Sequence, residues 1–165
     1  SPLWSARVAL APFPFSPIQP PRDFPTMTDD PRDTDRQAPA KSYLDHFSPN
    51  RAADIYIRVL KLLQKQRHYR DPDLTARRVA ELIGCDHRAI SAALAISTGE
   101  NFLRLLAKIR ANEAARMLRD RRFAEWNAED IGLHCGFASR QSFYNAFNRV
   151  WGMTPRQYRL RYHAS

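Results

Sequence analysis

Glycine is scarce in this chain, with five in 165 residues. All five follow Pro49, as Gly84, Gly99, Gly132, Gly136 and Gly152, and turns are expected at them. So thin a scatter excludes a phosphate-cradling glycine loop. Cysteine is scarcer still: Cys85 and Cys135 are too few for a disulfide framework. His87 and His134 stand near them, but neither a C-x-x-C pair nor an H-x(3–5)-H spacing occurs, so no metal site is expected. There is no Ser-His-Asp constellation and no carboxylate pair in a glycine-rich setting, so neither catalysis nor a cofactor is expected. No apolar run approaches the roughly 20 residues that span a bilayer. The opening S-P-L-W-S-A-R-V-A-L-A-P-F-P-F is broken by proline and makes no signal-peptide core.

Proline is almost absent from the larger part of the chain. Ten of the twelve lie in residues 1–49, a stretch without helical or strand period. That stretch reads as a disordered, proline-rich leader or linker. The chain opens on Ser1, and Met27 would be a natural start, followed by the hydrophilic T-D-D-P-R-D-T-D-R. Acidic residues are too few to balance the rest. Residues 1–49 hold five Lys/Arg against six Asp/Glu, whereas residues 50–165 hold twenty-one against eleven. The positive charge therefore belongs to the part with helical pattern, and it points to a polyanionic partner.

Apolar residues from Ala52 onward recur at helical spacing and predict an all-α domain over 50–165. Seven helices are expected, at about 51–69, 76–83, 87–97, 101–119, 128–135, 140–151 and 155–162, and no strand. In the first, Ile55, Val59, Leu62 and Leu63 line one face behind a cap at Asn50. In the fourth, Phe102, Leu105, Leu106, Ile109, Ala114, Met117 and Leu118 do so over a rod of about 27 Å. One pattern occurs twice. T-A-R-R-V-A-E-L-I-G from Thr75 matches N-A-E-D-I-G-L-H-C-G from Asn127, with a capping residue, an alanine, Val79 or Ile131, and a glycine in register. Beyond the glycine Asp86 answers to Ser139, Ile90 and Leu94 to Phe143 and Phe147, and Gly99 to Gly152. Such recurrence marks a duplicated supersecondary unit. Cys135 aligns with Ile83 and is expected in the core.

From Gly136 the chain reads G-F-A-S-R-Q-S-F-Y-N-A-F-N-R-V-W-G-M-T-P-R-Q-Y-R, ending at Arg159. Gly136 makes a tight turn, and the Ser139 hydroxyl can cap the helix that follows. Phe143 and Phe147 share its inner face with Ala146 and Val150. Gly152 stops it, and Thr154-Pro155 starts another. Gln141, Tyr144, Asn145 and Asn148 form the outer face, with Arg140 and Arg149 at its flanks. This is the layout of a helix-turn-helix. The run G-F-A-S-x-x-x-F-x-x-x-F-x-x-x-x-G-x-T-P-x-x-Y-R resembles the second helix-turn-helix of the AraC/XylS family of bacterial transcription regulators. R-A-N-E-A-A-R-M-L, from Arg110, resembles the linker helix of that family.

The resemblance implies two helix-turn-helix units, about 75–98 and 127–151, joined by a linker helix at about 101–119. It implies sequence-specific binding of double-stranded DNA, with two recognition helices in successive major-groove segments about 34 Å apart. The base-contacting positions it implies are Arg140, Gln141, Ser142 and Asn145 in the second unit and Arg88, Ser91 and Ala92 in the first. Helix angles independently turn Gln141 and Asn145 outward, and Gln and Asn pair bidentately with adenine as Arg does with guanine. In the first unit Arg88, Ser91, Ala92 and Ala95 are expected outward, with His87 beside them, and Ile90, Ala93, Leu94 and Ser97 inward. Arg77, Arg78, His87, Arg104, Lys108, Ser139, Arg149 and Arg156 are candidates for phosphates, as are Arg119, Arg121 and Arg122. RNA polymerase is an implied partner, and a sensory or dimerisation domain is expected outside this chain. The implied location is the bacterial cytoplasm, at the nucleoid when bound, or tethered to a membrane sensor if the chain is a piece of a longer protein. Two rival readings remain. One is a helical protein-interaction module that keeps the fold and has lost strong DNA binding. The other is the DNA-targeting arm of a longer sensor or enzyme chain.

Overall fold

Helix starts in this protein follow side-chain chemistry that is local in sequence. In a computed structural model, which describes residues 38–163, Thr75, Asp86, Asn127, Ser139 and Thr154 each accept a hydrogen bond from an amide of the turn they precede. These contacts satisfy donors that a helix start leaves without partners. The helices are α1 Lys41–Asp45, α2 Pro49–Leu60, α3 Ala76–Ile83, α4 His87–Thr98, α5 Phe102–Arg119, α6 Ala128–His134, α7 Arg140–Trp151 and α8 Pro155–Tyr162. The described residues are all-helical, without a strand. None of these helices is long and apolar enough to cross a membrane.

Three expectations about helix number and bounds need correction. α1 is an eighth helix, in residues assigned from sequence to the leader, and Phe47 behind it is buried against Tyr43 and Arg51. The rest of the leader, residues 1–37, lies outside the described residues. The helix expected at 51–69 starts at Pro49, with Ser48 rather than Asn50 in the capping position. It gives way to a wider π turn at Lys61–Lys65 and breaks at Arg67, whose φ of 58° is left-handed. That break lets the chain fold back and bury Tyr69.

The chain divides into two compact units, one ending at Ile109 and the other beginning at Arg110, so α5 contributes to both. In the first unit α1, α2 and α3 all pack on α4. Ile55, Val59, Leu63, Val79, Ile90, Leu94 and Leu106 are among its buried residues. In the second, α6 and α8 pack on α7. Phe143 stacks on Phe137 at 5.1 Å, meets Phe147 edge-on at 5.8 Å, and Phe147 meets Tyr158 at 5.3 Å. Cys135 is buried, its thiol 3.7 Å from the Met117 sulfur, in the packing role expected of it. The Arg159 guanidinium donates to the carbonyls of Trp126 at 2.6 Å and Phe123 at 3.3 Å, which ties α8 to the loop ahead of α6.

Gly84 and Gly136, with φ of 85° and 100°, make the turns inside the two repeats. Gly132 is different, and its expected turn is corrected: it lies inside α6. A Cβ there would sit 2.6 Å from Cγ and 2.7 Å from Cε2 of the Phe143 ring. The missing side chain is therefore the space that Phe143 fills. In the first repeat the corresponding positions are Ala80 and Ile90, a larger residue on one helix and a smaller one on the other.

Candidate nucleic-acid interface

α7 is the better-defined polar helix. Its start is held by a capping box: the Ser139 hydroxyl accepts from the Ser142 amide at 3.1 Å, and the Ser142 hydroxyl accepts from the Ser139 amide at 3.3 Å. Ser142 also donates to the Ser139 carbonyl at 2.8 Å. Its hydroxyl, one of the implied base contacts, is thus engaged in holding the helix start. Ser139, a phosphate candidate, has its side chain in the same cap. Phe143, Ala146 and Phe147 are buried. Gln141, Asn145 and Asn148 are exposed along the opposite side, where the helix phase places them. Arg149, a phosphate candidate, is exposed beside them.

Two other members of the expected outer face turn toward α6. They meet Glu129, a carboxylate whose side chain is only 3% exposed. Its Oε1 accepts from the Tyr144 hydroxyl at 3.0 Å and from Arg156 Nη2 at 2.9 Å, and Arg140 Nη2 lies 3.4 Å away. Arg140 also packs over the Tyr144 ring, 5.2 Å from its centroid, and its side chain is 11% exposed. Arg156, from the first turn of α8, is 63% exposed. Burial first, then the Glu129 charge and hydrogen bond, raise the Tyr144 phenol above its ordinary pKa. The Glu129 charge likewise raises Arg156. Glu129 itself gains from its place in the first turn of α6, where the helix dipole favours an anion. Sequence reasoning missed Glu129. Its one signal was the repeat, in which Glu129 aligns with Arg77, a charge of opposite sign.

α4 departs further from expectation. The Asp86 carboxylate accepts from the Arg88 amide at 2.9 Å and lies 3.2 Å from His87 Nδ1. That amide hydrogen bond leads the causes that hold the Asp86 carboxyl below its usual range. Arg88 is exposed and Ser91 half-buried. Ala92, expected outward, is fully buried, in one stretch of α4 with Ala89, Ile90, Ala93 and Leu94. The reason is tertiary: three helices close on α4, and alanines let their backbones approach. Ser97, expected inward, is exposed, and Ile96 beside it is 39% exposed. Exposure along α4 therefore falls on Arg88, Ile96 and Ser97, with His87, Ser91 and Ala95 half-buried.

The cationic candidates are spread over both units. Arg77, Arg78, Arg104, Lys108, Arg119, Arg121 and Arg122 are all exposed. Arg78 pairs with Glu81 at 3.0 Å and Arg122 with Asp120 at 2.7 Å, whereas Arg77, Arg104 and Lys108 form no ion pair among the described residues. The described residues hold no group of three or more His, Cys, Asp or Glu arranged for a metal ion.

Comparisons with known proteins agree with this geometry. The family model described as a helix-turn-helix domain matches residues 79–161. The C-terminal domain of AraT, a response regulator from Geobacillus stearothermophilus, is similar in structure with a TM-score of 0.59. It is 31% identical, and the match covers 67% of this chain and 88% of that one. A protein of unknown function from Listeria innocua shares the fold, with a TM-score of 0.56 and 21% identity over 66% of this chain and 97% of its own. No curated protein matches the sequence.

Proposed function

The chain belongs to the AraC-type helix-turn-helix family of DNA-binding transcription regulators, and from that premise we propose that α4 and α7 enter successive major-groove segments on one face of duplex DNA, about 34 Å apart. The observation that carries this reading is the exposed amide row Gln141, Asn145 and Asn148, set on a helix whose other side is buried and whose start is capped. Gln141 and Asn145 read adenine in one half of the site. Arg88 reads guanine in the other half, with Ser91 and the Ala95 methyl beside it. Arg77, Arg104, Lys108, Arg149 and Arg156 contact phosphates, which set register rather than sequence. The two recognition faces differ, so a monomer prefers an asymmetric site. The regulator works in the bacterial cytoplasm with RNA polymerase as partner, under a sensory or dimerisation domain outside this chain.

The test is random-site selection with the full chain, followed by affinity measurement against salt. The selected site should have two unlike halves. Its affinity should fall between 50 and 200 mM salt with a slope of about 0.9 per phosphate contact in log K against log salt. A flat salt profile, or a selected pool with no shared sequence, would overturn the reading.

A further inference from the structure

Glu129 is the group that the base-reading account leaves unused. Burying a carboxylate is costly unless cations and hydrogen bonds compensate it, and here a phenol and two guanidinia converge on one oxygen. Both guanidinia come from helix starts: Arg140 is the first residue of α7, and Arg156 lies in the first turn of α8. A free arginine at the start of a recognition helix would read guanine bidentately, the commonest specific contact in the major groove. Arg140 is not free to do so. Its guanidinium sits by Glu129 and over the Tyr144 ring, and little of it reaches solvent. Arg156 donates one N–H to Glu129 while most of its side chain faces outward.

We propose that Glu129 is a specificity-determining residue of the α7 interface: it withholds Arg140 from base edges and holds Arg156 at the surface for a phosphate. The adenine readers Gln141 and Asn145 then decide the sequence in that half of the site. This rests on α7 being a recognition helix. Glu129→Gln keeps the shape and leaves a carbonyl to accept from the Tyr144 hydroxyl, but it removes the charge that attracts the guanidinia. The released Arg140 adds a guanine reader to the DNA face.

The experiment compares selected-site profiles and salt slopes of the wild-type chain, Glu129→Gln, Glu129→Gln/Arg140→Ala and Gln141→Ala. Glu129→Gln should gain a preference for guanine of about ten-fold at one position through Arg140, and a salt slope shallower by about 0.9 as Arg156 loses its hold and its phosphate contact. Adding Arg140→Ala should remove the guanine preference and leave the change of slope. A merely packing role would lower the melting temperature of Glu129→Gln and leave profile and slope unchanged, and that result overturns the proposal. If Glu129→Gln does not fold, Glu129→Asp, which draws the charge back by one methylene, should show the same changes at smaller amplitude. An unchanged profile there overturns the proposal equally. Gln141→Ala separates the two levels of inference. If it leaves the wild-type profile intact, α7 is not the reader and both readings fall. If it erases the adenine preference while Glu129→Gln changes nothing, only the role of Glu129 fails.

Discussion

Gly132→Ala tests the packing that seats the α7 recognition helix. An alanine in a helix interior gains about 1 kcal/mol over glycine in backbone terms. On an open helix the change would therefore stabilise. Here the new methyl would lie 2.6 Å from Cγ and 2.7 Å from Cε2 of Phe143, well inside van der Waals contact. Relief requires the ring to move, and the ring is fully buried, with Phe137, Tyr144 and Phe147 within 5.1 to 5.8 Å of its centre. Overpacking of this kind costs about 1–3 kcal/mol, and the crowding argues for the upper half of that range. The net expectation is a loss of about 1–2 kcal/mol. Urea denaturation followed by tryptophan fluorescence reads it, because Trp126 and Trp151 both lie in the second unit. Phe143→Ile in the same chain imitates the Ala80 and Ile90 pair of the first repeat. The double variant should be more stable than the sum of the singles predicts, by about 1 kcal/mol of coupling. A neutral or stabilising Gly132→Ala, or strict additivity, would refute the reasoning.

Phe147→Ala should cost about 3–5 kcal/mol and abolish DNA binding by unfolding the second unit, seen as loss of its cooperative transition; a variant of wild-type stability would show that the ring is not core. Ala92→Leu should destabilise the first unit by about 1–3 kcal/mol through overpacking, whereas Arg88→Ala should keep its melting temperature and relax one half of the selected site; the opposite pattern would return Ala92 to the DNA face. The Asp120 carboxyl is held at about 2 by hydrogen bonds from the Arg122 guanidinium and amide. A depressed carboxyl stabilises the fold above its unfolded pKa, near 3.9, and that contribution fades as pH falls toward about 2. Carbon NMR should place the Asp120 midpoint near the lower value, and Arg122→Ala should move it up; a wild-type midpoint near 3.9 would exclude the ion pair.

Sequence alone determined whatever depends on neighbours within a turn or two. The five capping residues, the two turn glycines, the buried stripe of α5 and the Phe143–Phe147 face of α7 all follow from local spacing, and the structure has them where the pattern put them. The duplicated unit was legible for the same reason, since a repeat of local patterns needs no knowledge of packing. Tertiary structure decided the rest. Ala92 is small and apolar enough for either face, and its burial comes from the closure of α1, α2 and α3 on α4, which the period of α4 does not encode. Gly132 reads as a turn until Phe143, from the next helix, is placed against it. Glu129 reads as one more surface acid, because its partners Tyr144 and Arg156 lie 15 and 27 residues away in sequence. Whether a charge is solvated or buried depends on which distant donors the packed helices bring to it, and only the folded chain makes that choice.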